Sequence, residues 1–261
     1  MKQWVSLLTA AVLCLCLLCG CGSSVEPNKV FSQADLEGKT IGVQLGTVAD
    51  NIATDVKDAK VERYNKFTDA VQALKQGKID CVIMDSQPAQ TFVEKYSDLK
   101  ILDDKYDDEN YAICLKKGNT ELKDKVNAAL KTLKDNGTLQ QITDNYIGDK
   151  KGTCPYTTPA GTTYPNGKLT VATNAEFEPY EFRDGDKLVG IDIEMAQALA
   201  DVLGMELTIN NIEFDAILSE VASGAADLGI AGMTVDEERL KNADFSDPYT
   251  TSKQVILVRA K

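Results

Sequence analysis

Two stretches far apart in the chain follow one frame, and that repetition constrains the fold more than any other feature of the sequence. Phe67–Asp85 and Phe214–Gly232 each run Phe, nine residues, Gly, two residues, Asp, then an apolar run, so that Gly77 matches Gly224 and Asp80 matches Asp227. In both copies apolar residues at helical spacing (Phe67, Val71 and Leu74; Ile217, Leu218 and Val221) stop at the Gly, where a short strand is set up. Five residues past the shared Asp, one copy reaches Asp85 and the other reaches Gly232. The chain is therefore expected to contain two similar α/β units with these two positions at equivalent strand ends.

The rest of the pattern extends each unit. Thr40–Leu45, Lys60–Tyr64, Asp80–Asp85 and Leu99–Leu102 read as strands, with helices from about Val48, from Phe67 to Gly77, and from Pro88 to Tyr96. Tyr111–Leu115 is a further strand, and Leu122, Val126, Leu130 and Leu133 mark a helix closed by Gly137. Leu139, Ile142 and Tyr146 mark the next helix. The stretch 149–167 is rich in Lys, Thr, Pro and Gly without periodicity and reads as a linker, which as a flexible coil spans roughly 24 Å. Lys168–Thr173 opens the second unit, followed by a helix to Gly204, a strand over Glu206–Ile209, the second copy of the repeat, and a strand over Gln254–Val258. Alternation of this kind predicts α/β architecture with mainly parallel sheets flanked by helices.

In open α/β sheets ligands sit beyond the carboxyl ends of the strands, where Asp85 and Gly232 fall. After the second copy, Thr234 with Glu237 three residues on reads as a capping box opening a short helix, with Arg239 just inside it. A helix opening and a guanidinium form a grip for a carboxylate. If the two units face one another, Asp85 and Arg239 match the ammonium and carboxylate of an α-amino acid. The competing reading is that both units merely share a common frame and that Asp85 caps the helix after it.

Composition narrows the chemistry. A net charge of −12 argues against nucleic acid as a partner, and the absence of histidine removes Ser-His and Cys-His nucleophile pairs and His-ligated metal. No metal site, cofactor or catalytic residue is expected. Four of the seven Cys lie in the first 21 residues, while Cys81 and Cys114 sit in apolar runs as small core residues. Residues 1–20 carry one Lys and an apolar stretch from Trp4 to Leu18, a secretory signal rather than a fold element. Leu18-Cys-Gly-Cys21 resembles a lipobox, which makes Cys21 the lipidated N-terminal residue, residues 21–30 a tether, and the location extracytoplasmic, on the cell membrane.

Several motifs carry a resemblance to the extracellular solute-binding proteins of polar amino acid ABC transporters. They are Ala172–Phe182 (ATNAEFEPYEF), Gly190–Glu194 (GIDIE), Ala231-Gly-Met-Thr with Glu-Arg239, Asp244–Tyr249 (DFSDPY), Gly42–Thr47 (GVQLGT) and Ile79–Asp85 (IDCVIMD), together covering nearly all of the chain after the tether. The unit that stands first in that family begins here at Lys168, so the sequence resembles a circularly permuted member. The resemblance implies a two-lobed fold of the type II periplasmic-binding-protein kind, joined by two hinge crossings near Asn110 and near Thr250–Lys253. Residues 31–110 plus 251–261 make up lobe 2, residues 111–148 plus 168–250 make up lobe 1, and 149–167 joins the ancestral termini.

The resemblance also implies roles by motif. Asp85 holds the ligand ammonium and Arg239 its carboxylate. Thr234 adds a hydroxyl and N–H, Gly232 a carbonyl, and Thr47 a backbone donor. Phe177 and Phe214 sandwich the side chain, and Asn174 and Gln44 read its tip. Asn174 stands where glutamine and basic amino acid binders often carry Asp, and Val48 where Gly or Thr is common. The implied function is capture of a polar L-amino acid, glutamine or a basic one favoured, for delivery to an ABC permease. An enzyme on the same fold, of the cyclohexadienyl dehydratase kind, and a ligand sensor are the alternatives. A dehydratase needs a placed general acid or base, and the carboxylate and Arg here are matched to binding.

Overall fold

The computed structural model describes residues 25–261, so the signal stretch and the Cys21 lipidation site lie outside the described residues. The chain forms β1 (Thr40–Gln44), α1 (Val48–Asp55), β2 (Lys60–Tyr64), α2 (Phe67–Lys75), β3 (Cys81–Asp85), α3 (Ser86–Lys95) and β4 (Leu99–Tyr111). It continues through β5 (Cys114–Lys116), α4 (Thr120–Asp135), α5 (Thr138–Tyr146), β6 (Lys168–Thr173), the hairpin β7 (Phe182–Asp184) and β8 (Lys187–Val189), and α6 (Ile191–Leu203). Last come β9 (Glu206–Asn211), α7 (Ile217–Ser223), β10 (Leu228–Gly229), α8 (Glu237–Asn242), β11 (Ala243–Phe245) and β12 (Thr250–Arg259).

Two five-stranded sheets result, ordered β2-β1-β3-β12-β4 and β11-β5-β10-β6-β9. In each, three strands run parallel, because a helix returns the chain between them, and a further strand lies antiparallel at their side. That antiparallel strand comes from across the molecule. β12 enters the first sheet after the chain leaves the second, and β5 enters the second after the chain leaves the first. The architecture is the two-lobed α/β fold of type II periplasmic binding proteins.

The repeat is visible in hydrogen bonds. Asp80 accepts from Thr40 N–H at 2.8 Å and donates its own N–H to Thr40 O at 2.8 Å. Asp227 makes the same pair with Thr170, each also 2.8 Å. Gly77 (φ +71°) and Gly224 (φ +82°) both end their helices in the left-handed region, where a Cβ is costly. Ile41, Val43, Ile83 and Ile256 are fully buried in the first sheet, and Leu169 and Leu228 in the second, with Leu199 of α6 in the same core. Each such side chain contributes about 1.5–3 kcal/mol by leaving water. Cys81 is buried among the first group, and Cys114 in a separate cluster with Ile217 and Val221.

Four local expectations change. The strand at Leu99 does not stop at Leu102 but runs to Tyr111, since β12 pairs with it from Leu99 opposite Arg259 to Tyr111 opposite Thr250. Its run of Asp and Glu reads as loop, yet suits an edge strand whose outer side stays in water. Tyr111 thus belongs to β4, and the next strand begins at Cys114. The tether shortens, because Asn28 donates its N–H to Lys261 O at 2.9 Å and Val30 is buried in the core. The stretch 149–167 has no helix or strand but is strapped down. Tyr156 and Tyr164 both donate hydroxyls to Asp201 on α6, at 2.8 and 2.9 Å, and Asn166 Nδ2 donates to Leu203 O at 2.7 Å.

Candidate functional site

The carboxyl ends of β1, β3, β6 and β10 converge on a cavity between the two sheets. Gln44, Thr47 and Asp85 line it from the first sheet, and Asn174, Phe177, Phe214, Gly232, Thr234 and Arg239 from the second.

The Asp85 side chain does not cap the helix after it, although the residue occupies the N-cap position of α3. Instead it turns into the cavity wall, where it accepts the hydroxyl of Tyr111. Burial pushes its carboxyl up to about 7, and the charge of Glu109 adds to that, while the Tyr111 and Gln254 side chains pull it back.

Arg239 reaches the cavity from α8. The expected capping box is not formed: Asp236, not Thr234, caps this helix, accepting Arg239 N–H at 2.7 Å. Asp is as good an N-cap as Thr, and the cap two residues later frees Thr234. Its hydroxyl donates instead to Glu109 on β4 at 2.8 Å. The Arg239 guanidinium donates to Thr234 O at 2.6 Å and, from the other sheet, to Gly46 O at 3.0 Å, and lies 5.6 Å over the Phe214 ring. Burial pushes this guanidinium down, countered by Asp236.

The other side chains divide by what holds them. Gln44 Nε2 donates to Asn65 O at 2.8 Å and to Asn174 Oδ1 at 2.9 Å, while Asn174 Nδ2 donates to Ile212 O at 2.7 Å. Phe177 packs in an aromatic cluster with Phe67 of the first sheet's unit (6.0 Å between ring centres) and with Tyr111 and Tyr180. Gly232 approaches it closely; a Cβ there would lie 2.5 Å from the Phe177 ring. Thr47 is less free than expected, since its N–H and hydroxyl both turn back to Gln44 O, at 3.4 and 2.8 Å.

Three neighbours escaped sequence reasoning. Glu109 reads as part of an acidic loop but sits where the chain crosses between sheets, accepting from Thr234 and, at 3.3 Å, from Gln254 Nε2. Gln254 lines the cavity because β12 places it opposite Asp85. Glu181 also lines it, wholly buried. The place of Gln254 at the head of the apolar run Val255–Val258 was a usable signal; for Glu109 there was none.

The model of the bacterial extracellular solute-binding proteins, family 3, matches residues 23–149 and 169–261. Among curated relatives, the arginine-binding extracellular protein ArtP of Bacillus subtilis is 39% identical over 90 residues, 34% of this chain and 35% of that protein. The L-arginine-binding protein of Pseudomonas aeruginosa is 36% identical over 137 residues, 48% of this chain and 51% of that protein. The chain thus spans about a third of the length of the first and half of the second. Among solved structures, an ancestral arginine-binding protein bound to arginine is 48% identical over 33% of this chain and 38% of its own, with a TM-score of 0.32.

Proposed function

We propose that this chain, which belongs to the bacterial extracellular solute-binding proteins of family 3, captures a polar L-amino acid between its two lobes and delivers it to an ABC permease. The observation that carries the reading is that Asp85, at the end of β3, and Arg239, on α8 beside the other sheet, line one cavity. Asp85 takes the ammonium. Arg239 takes the carboxylate with the N–H groups it does not spend on Thr234, Gly46 and Asp236. Thr234 and the Gly232 backbone add polar contacts, Phe177 and Phe214 flank the side chain, and Gln44 and Asn174 meet its tip. Thr47 contributes as the base of the Gln44 turn.

Lobes made of 31–110 plus 251–261 and of 111–148 plus 168–250 open and close about the two crossings, a hinge motion that desolvates both ion pairs. The unit order is that of a circular permutation, with 149–167 bridging the older termini. The division of the family match into two blocks on either side of that stretch supports this. Lipidation at Cys21 anchors the protein to the membrane beside its permease. The arginine-binding relatives favour a basic ligand over glutamine.

A thermal-shift screen across the twenty amino acids tests the reading. A ligand at 100 times its Kd adds about 2.7 kcal/mol to the folded state. A rise in Tm with one or more polar amino acids is expected, and no shift with any of them overturns it.

A further inference from the structure

The turn that receives the Arg239 guanidinium is held from behind by a carboxylate that does not line the cavity. Gly46 lies between β1 and α1 at φ +76°, in the left-handed region. Glycine enters that region and leaves it at similar cost, so the local backbone does not by itself fix where its carbonyl points. The contacts across the gap need it fixed. Gly46 O accepts the Arg239 guanidinium at 3.0 Å, and a Cβ on Gly46 would lie 3.1 Å from Asp215 Cβ, so the second sheet's unit packs directly on this backbone.

The fixing group is Asp50, in the first turn of α1. Its Oδ2 accepts Gly46 N–H at 3.2 Å, and both its oxygens take Arg63 Nε from β2, Oδ1 at 2.9 Å and Oδ2 at 3.1 Å. Arg63 also donates to the Thr54 hydroxyl at 2.9 Å, and that hydroxyl donates to Asp50 O at 2.7 Å. The cap of α1 is Thr47, whose side chain accepts Asp50 N–H at 3.4 Å. In an ordinary capping box the acid at the third helical position returns to the N–H of the cap residue. Here it reaches one residue further, to Gly46, while Thr47 N–H turns to Gln44 O at 3.4 Å. The Asp50 side chain is 11% exposed and that of Arg63 43%, so the carboxylate is shielded and the guanidinium closes it off from water.

We propose that Asp50, clamped by Arg63, is a positioning residue for closure over the ligand: it holds the Gly46 turn in an arrangement that presents Gly46 O to Arg239. This rests on the amino acid capture and hinge motion proposed above. The consequence is kinetic. Ligand enters the open form, in which Gly46 and Arg239 are apart, and escapes only after the contact between them breaks. Loosening the turn therefore speeds release and leaves association unchanged.

Stopped-flow binding kinetics and a thermal melt test it, with whichever of the twenty L-amino acids raises the wild-type Tm furthest. Asp50→Ala is expected to speed release about tenfold, with association within about twofold of wild type. Asp50→Asn keeps an oxygen for Gly46 N–H and should bring release back to within about threefold of wild type. Arg63→Gln leaves the carboxylate in place but unclamped, and should speed release about threefold. A lowered Tm in Asp50→Ala with both rates unchanged is what an ion pair that only stabilises α1 would give, and it overturns the proposal. So does a loss of affinity carried wholly by association. If Asp50→Ala does not fold, Arg63→Gln decides, and a wild-type release rate there overturns the proposal. Each of these results leaves the amino acid reading standing. Wild type that binds none of the twenty overturns both.

Discussion

Gln44 Nε2 donates to Asn174 Oδ1 at 2.9 Å, a side-chain bond that ties the end of β1 in one sheet to the residue after β6 in the other. The Arg239 to Gly46 bond and the Phe67–Phe177 stack cross the same gap, as does the half-exposed Lys66–Glu176 ion pair at 2.7 Å. The last contributes little, being screened by water. The buried amide bond is the one whose loss is expected to register.

Gln44→Ala should weaken ligand binding about fivefold, the worth of one net hydrogen bond near 1 kcal/mol, and shift the lobes toward a more open average. Calorimetry reads the first and small-angle scattering the second. An unaltered radius of gyration together with unaltered affinity would show that the amide pair does not hold the lobes together.

Arg239→Ala and Asp85→Ala should each abolish amino acid binding. Each strands the opposite charge in a desolvated cavity at a cost of roughly 3–5 kcal/mol. The folded state should survive, because neither side chain lies in the apolar core between sheet and helices. Calorimetry alongside a circular-dichroism melt checks this. Full affinity in either variant would mean that the ligand's two ends are held elsewhere.

The raised carboxyls give a signed pH dependence. Asp85 stands at about 7 and Asp192 at about 6 in the folded chain, against roughly 3.9 when unfolded. Between those values the folded state holds more protons, so this contribution to stability is fully present below about pH 4 and is lost as pH rises toward 7. Asp85→Asn should therefore flatten the decline of Tm across that window. Binding runs the other way, strengthening as pH rises through 7 and Asp85 ionises. Parallel Tm curves for variant and wild type would show that Asp85 titrates as an ordinary carboxylate.

Asp201→Ala removes the shared acceptor of Tyr156 and Tyr164. A loss of about 1–3 kcal/mol is expected, with faster proteolytic cutting within 149–167. Cutting at the wild-type rate would mean that the strap is held by its backbone contacts alone.

Much of this molecule was legible in the chain itself, for a local reason. Helix stops such as Gly77 and Gly224, apolar periodicity in α4 and α6, and buried runs such as Cys81–Asp85 follow from backbone sterics and burial within a few residues. The paired Asp80 and Asp227 frame exposed the duplication, and the family motifs picked out nine residues that come to line one cavity. What escaped was set by partners distant in sequence. The acidic run 103–110 becomes strand only because β12 lies beside it. Thr234 yields its capping role because Asp236 is nearer the helix and Glu109 is within reach.

The sequence alone determined that two like units exist, that each ends a strand on a chemically useful residue, and that an acid and a guanidinium stand near those strand ends. Tertiary structure decided which groups are left without partners. Glu181 and Asp192 come together only through the Tyr180 carbonyl and the room left by Gly190. Whether a buried carboxyl finds a partner depends on atoms within hydrogen-bond reach, and in this fold those atoms come from segments that local sequence does not relate.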